Sequence, residues 1–283
     1  MREAGEKLTS PKRKRGKPAN SPHGPSLARR AGVILQNLIV RGLSRFSRGL
    51  SRFSRRENGT VPLLSSANLF LLATAGLLSA AILAVCLLAP TEETMGHAQR
   101  IVYIHVPVAW FALVSFVVMA GAGALYLIRR NLAWDQWSQA AAELGWLSSS
   151  LTLLTGSLWA HEAWGTWWTW DPRLTTAFIL WAIYSGYLIV RASLEDPHRR
   201  ARLGAVLAIV GLLDVPLVVL ATRWFRGIHP VSPGMEPSMR VVLLASLAGF
   251  SAFFALLLAR RRVGLGLESR LASLELRADD KAR

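Results

Sequence analysis

Apolar and polar residues fall along this chain in long blocks, not in the short alternation of a strand or the stripe of a soluble helix. Six stretches, at about 66–89, 105–128, 141–160, 174–190, 203–222 and 241–259, are nearly free of charge. Each approaches the roughly 20 residues that a helix needs to cross the hydrocarbon core of a bilayer. In lipid every backbone polar group must be paired within the protein, which restricts such spans to helices. The pattern predicts an all-α integral membrane protein, a six-transmembrane helix bundle. The least apolar stretch is 141–160, AAELGWLSSSLTLLTGSLWA, which carries Glu143 and many hydroxyls. Serine and threonine can bond their own helix or a neighbour, so this stretch reads as an inner helix.

The connecting segments set an orientation. With the N-terminus inside, the N-terminal tail, 129–140, 191–202 and the C-terminal tail hold 28 of the 33 lysines and arginines. The loops 90–104, 161–173 and 223–240 hold the other five, and none lies within a stretch. Basic residues gather on the cytoplasmic side of membrane proteins. Both termini are therefore expected in the cytoplasm, and the three loops on the outer, periplasmic face of a cytoplasmic (inner) membrane. Composition agrees: 52% hydrophobic residues with a net charge of +16 suit a multi-pass protein with basic tails. Three regions are predicted: a basic, largely disordered tail over 1–60, a six-helix membrane domain over 61–262, and a cytoplasmic tail over 263–283.

The tail changes the picture little. SPKRKRGKPANSPHGP is rich in proline and cations and is expected to be disordered. GLSRFSR then occurs twice, at 42–48 and 49–55, aligning Leu43, Phe46, Leu50 and Phe53 beside arginines. This is either an amphipathic helix on the anionic inner leaflet or a dispensable basic extension. The basic partner is lipid and not nucleic acid. A cleavable signal peptide is not expected, since no short apolar core precedes a small-residue cleavage site. The single cysteine, Cys86, lies in an apolar run, which leaves no intramolecular disulfide or cysteine metal site.

The chemistry gathers on the predicted outer face. HEAWGTWWTWDPRLT (161–175) places Trp164, Trp167, Trp168 and Trp170 in seven residues around Gly165. Interfacial tryptophans anchor helices to the headgroup layer, but that use scatters them along helix ends instead of clustering them. Of six histidines, His97, His105, His161 and His229 fall on this face or its edge, with Arg100, Arg173, Arg223, Arg226 and Arg240. Indoles bury a flat apolar ring system at low entropic cost, guanidinium forks pair with carboxylates, and imidazole ligates iron. Haem unites those three demands.

WGTWWTWDPRLT (164–175), RIVYIHVPVAW (100–110), the Asp214–Pro216 pair, RWFRGIHP (223–230) and MEPSMR (235–240) together resemble the haem-handling CcmC family of cytochrome c biogenesis, over about 65–260. The resemblance implies a delivery factor and not an enzyme: haem b is cargo, held by the tryptophan-rich outer loop and served by two histidines. It also implies hand-off to a haem chaperone (CcmE-like), with a small membrane subunit (CcmD-like) and an ATP-binding cassette complex (CcmAB-like) as partners. By position, His105 matches the first axial histidine. The second would fall three residues past Pro216, where this chain has Val219, which cannot ligate iron. His229 is taken as its replacement, with His161 the further candidate; a five-coordinate iron on His105 is the remaining option.

The expected cofactor-binding set is Trp164, Gly165, Trp167, Trp168, Trp170, Asp171 and Arg173. Gly165 should let the chain turn and the porphyrin approach the backbone. Asp171–Pro172 has the form of a helix start, aspartate as N-cap and proline as first helical residue. Arg173 faces either a haem propionate or lipid headgroups. Asp214, deep in a span, needs a partner, since an intramembrane carboxylate costs roughly 2.5–3.5 kcal/mol on insertion scales. Three other readings compete: a larger haem exporter or ligase (CcsA-type), a membrane haem or quinone oxidoreductase, and a transporter gated by the tryptophan loop. The oxidoreductase would want histidine pairs across the membrane, and the inner side offers only His198 within the predicted bundle.

Overall fold

A computed structural model describes residues 66–93, 95–229 and 234–282. The predicted tail over 1–60 and its repeated heptad lie outside them. The described chain is all helical. α1 spans Ser66–Leu83 and runs into a π-type turn at Ala84–Leu88. After a 3₁₀ turn at His97–Ile101 come α2 (Val102–Arg129), α3 (Leu132–Trp164) and α4 (Pro172–Ala192). α5 (Pro197–Gly211), α6 (Asp214–Trp224) and α7 (Pro237–Ala282) complete the order.

All six apolar stretches lie on helices. By length and composition, five helical stretches among the described residues can cross a membrane: Leu69–Leu88, His97–Arg129, Pro172–Ala192, Pro197–Trp224 and Pro237–Glu275. α3 is not among them, because hydroxyls and Glu143 dilute its apolar content. The last helix also runs on through 263 as one element.

Local chemistry explains the boundaries. Asn131 caps α3 by accepting from the Ala133 N–H at 2.9 Å, and Asp171 caps α4 by accepting from the Leu174 N–H at 2.8 Å, with Pro172 first in the helix. α3 ends where Gly165 takes a left-handed φ of 68° and its N–H closes on the His161 carbonyl at 2.9 Å. Two prolines disturb the spans differently. Pro107, inside α2, cannot donate to the Tyr103 carbonyl; the Ser246 hydroxyl of α7 donates there instead, at 2.5 Å. Pro216 follows the turn at Leu212–Leu213 that divides α5 from α6. The Leu212 carbonyl, four residues before it, accepts from Val215 at 3.2 Å.

Packing is organised around α3. Ala140, Ala141, Ala142, Gly145, Ser148 and Ser149 give it a small-residue face, against which α2 packs closely. Gly145 leaves room for the Tyr184 ring, whose hydroxyl donates to the Ala112 carbonyl at 2.7 Å. The core joins Phe116 and Met119 of α2, these alanines, Leu180, Tyr184 and Tyr187 of α4, Ala208 and Val218. α1 packs on α7, α5 on α2, and α6 on α4.

Several polar residues of the spans find partners across helices. Glu143, the oddity of the third stretch, pairs with Arg261 of α7 and accepts from Gln139 at 2.9 Å. Asp135 and Arg191 form a buried bidentate pair at 2.5 and 2.9 Å, with Gln139 accepting a further Arg191 hydrogen bond at 2.8 Å. His198 lies 3.1 Å from the Tyr126 hydroxyl and ties α5 to α2, a structural use that leaves no histidine pair spanning the bundle among the described residues.

Candidate functional site

At the end of the bundle where α3 gives way to α4, a cavity of about 810 Å³ opens between α2, α3, α4, α6 and α7. This is in the upper part of the size range of small-molecule and cofactor sites. Its deeper wall is apolar, from Ala112, Leu113, Leu153, Leu180 and Val218. Nearer the mouth stand His105, His229, Trp159, Trp164, Trp168, Arg173 and Arg240.

Each of these is positioned by a recognisable local device. His105 sits one turn into α2 beside Gly156 of α3, where a Cβ would lie 3.0 Å from the imidazole Cε1. Its Nδ1 is 3.0 Å from the Thr155 hydroxyl. Trp164, the last residue of α3, meets Trp159 edge-on at 4.9 Å and His229 at 6.4 Å between ring centroids. His229 is drawn toward the tryptophan segment by Asp171: while Oδ1 caps α4, Oδ2 accepts a long hydrogen bond, 3.4 Å, from the His229 N–H. Gly227 allows this approach, since a Cβ there would come within 2.9 Å of Asp171 Oδ2. Arg173 follows in the first turn of α4, and the Arg240 Nε donates to the Met235 carbonyl at 3.0 Å.

The cavity therefore gathers His105, His229, Trp164, Trp168, Arg173 and Arg240 from the residues that the sequence singles out. The others lie around it. Trp167 and Trp170 are 56% and 72% exposed and do not line it. Trp167 stacks at 4.1 Å on His161, which itself lies 3.7 Å from Glu162 and outside the lining. Gly165 turns the chain, and Asp171 acts from behind as cap and tether. Position 219 is resolved geometrically. Val219 is 48% exposed, whereas the adjacent Val218 is 6% exposed and lines the cavity. Val219 lies outside the cavity lining, and the histidine from beyond α6 that lines it is His229.

Sequence reasoning passed over Trp159, Thr155, Gly156 and the methionines Met95, Met235 and Met239, which also line the cavity or abut His105. Of these, Trp159 belongs to α3 with Trp164 and meets it edge-on, a contact that no helical spacing rule singles out. Two lining indoles carry a further signal. Trp159 Nε1 and Trp168 Nε1 are buried without a hydrogen-bond partner, although buried indole N–H groups ordinarily find one. Two cations and one carboxylate, Glu92, stand among the lining residues, which favours an anionic occupant.

A bundle of membrane-length helices with a cation-bearing aromatic cavity at one end defines a multi-pass membrane protein. The family described as Heme exporter protein C matches residues 52–275, and the chain belongs to that family. It is 35% identical over 224 residues to the Heme exporter protein C of Bradyrhizobium diazoefficiens, covering 76% of this chain and 82% of that one. The Rhodobacter capsulatus protein of the same name is 36% identical over 197 residues, 66% of this chain and 81% of its own. A ccmC-like mitochondrial protein named for cytochrome c biosynthesis in Arabidopsis thaliana is 33% identical over 171 residues, covering 57% of this chain and 63% of the plant protein.

Proposed function

We propose that this protein receives haem b, holds it in the cavity at the outer face of the inner membrane, and passes it to a membrane-anchored haem chaperone for cytochrome c biogenesis. Haem is cargo, and no covalent step is assigned to this chain. The observation that carries the reading is the cavity itself, where two imidazoles, two partnerless indole N–H groups and the guanidinium groups of Arg173 and Arg240 meet on an apolar pocket. His105 and His229 are the axial ligands. Trp164 and Trp168 bury the macrocycle, the two arginines meet its propionates, and Trp167 and Trp170 form an exposed rim that the chaperone contacts. α3 counts as the sixth span, its few polar side chains satisfied inside the bundle, with both termini cytoplasmic. A small membrane subunit and an ATP-binding cassette complex assemble with it to release the loaded chaperone.

The test is to purify the full chain in detergent, add haem and record the optical spectrum. A saturable haem complex is expected, weakened when Trp164 and Trp168 are replaced together by leucine while the folded yield is kept. A folded preparation that takes up no haem overturns the proposal.

A further inference from the structure

His105 is held from behind by α3, and the hydrogen-bond arithmetic there fixes more than its position. The Thr155 hydroxyl has one proton to give. Its Oγ1 lies 2.7 Å from the Leu151 carbonyl one turn earlier on the same helix, the back-bonding geometry of an intrahelical threonine. The same oxygen lies 3.0 Å from His105 Nδ1. The Leu151 carbonyl is the nearer partner and can only accept, so the arrangement that satisfies all three groups puts the hydroxyl proton on Leu151 and leaves Oγ1 to accept from the imidazole. In that arrangement Nδ1 carries the ring proton. The ring lines the cavity.

We infer that Thr155 is a positioning residue that locks His105 in its Nδ1–H tautomer, keeping the Nε2 lone pair free for a metal centre, with Gly156 as the gap that admits the ring. The inference rests on the haem-holding reading for the identity of the metal, but the tautomer itself requires no ligand. Thr155 plays the part that a carboxylate or backbone carbonyl plays behind many metal-bound histidines. In this position a neutral acceptor adds no charge to a span. Gly156 contributes by absence: a Cβ 3.0 Å from Cε1 forces the ring to tilt or withdraw.

The experiment uses the full chain, haem-free in lipid, with ¹⁵N-labelled histidine; the His105 signals are identified by their loss in His105→Gln. The nitrogen shifts at neutral pH should report the Nδ1–H form in the unsubstituted protein and in Thr155→Ser, and loss of that single form in Thr155→Val. An Nε2–H form in the unsubstituted protein, or a Thr155→Val ring unchanged from it, overturns the inference; the first comparison stands even if the valine variant fails to fold. Haem titration then separates the two claims. Removing an outer partner of a metal ligand weakens binding about 10–100-fold, so Thr155→Val should lose affinity by that factor and Thr155→Ser should recover it. No haem uptake by the unsubstituted protein would sink the haem-holding reading while leaving the tautomer result intact. Normal haem affinity in Thr155→Val would sink the positioning role alone.

Discussion

Where α2 turns into α3, charged side chains are engaged with one another. Arg191 reaches Asp135 with both terminal nitrogens and Gln139 besides, Glu143 holds Arg261, and Ser138 lies 3.0 Å from the Tyr187 hydroxyl. At the other end of the same helices, indole N–H groups on Trp159 and Trp168 lack partners, arginines line a cavity, and two tryptophans stand largely exposed. Both ends are polar patches, yet at the first carboxylates and guanidinium groups answer one another across helices, while at the second arginines and indoles line an open cavity. A buried polar group without a partner is costly. Where such groups line a cavity, as Trp159 and Trp168 do, a ligand can supply the partner, while the ion-paired end holds the helices that present the cavity.

The sharpest way to break this contrast is to remove one member of the closed end. Arg191→Met strands the buried Asp135 carboxylate and should destabilise the protein by about 3–5 kcal/mol, whereas the double variant Arg191→Met with Asp135→Leu should recover most of the loss. Thermal unfolding in detergent reads both, and the folded fraction of either should still bind haem. Next comes the cavity: Trp164→Leu with Trp168→Leu should weaken haem binding at least tenfold, since about 1.5 kcal/mol of apolar contact per ring is a factor of roughly ten, with little change in unfolding temperature. Asp171→Ala acts on both properties. It removes the α4 cap, worth about 0.5–2 kcal/mol, and releases His229, so a modest stability loss should accompany a change in the haem spectrum. Trp167→Leu with Trp170→Leu, on the exposed rim, should change haem affinity least, by less than about threefold if each indole contributes no more than a surface contact.

The helices and the helix-start device at Asp171–Pro172 were legible because each rests on local chemistry: length of apolar run, capping aspartate, proline at the first turn. His105 stands out in the sequence through the family resemblance of RIVYIHVPVAW, and the structure places it in the cavity lining. What could not be read is which of the four clustered tryptophans face the cavity. Past Gly165 the chain leaves the helix, no period relates Trp167 to Trp168, and only the fold puts one outside and the next inside. Glu143 looked ambiguous because its partner, Arg261, is 118 residues away. Counting from Pro216 does not reveal how the break at Leu212–Leu213 turns α6, which brings Val218 into the cavity lining and leaves Val219 outside it. Asp214 remains buried with Oδ2 unpartnered, and the structure offers no physical account of that oxygen.

The central claim is that two imidazoles, His105 from α2 and His229 from the segment after α6, meet on the iron of one haem. The direct measurement is the optical and paramagnetic-resonance spectrum of the haem-loaded protein, compared with His105→Ala and His229→Ala. A low-spin bis-imidazole signature in the unsubstituted protein, lost in each variant and restored by added imidazole, is the expected result. Persistence of that signature in either variant contradicts the account.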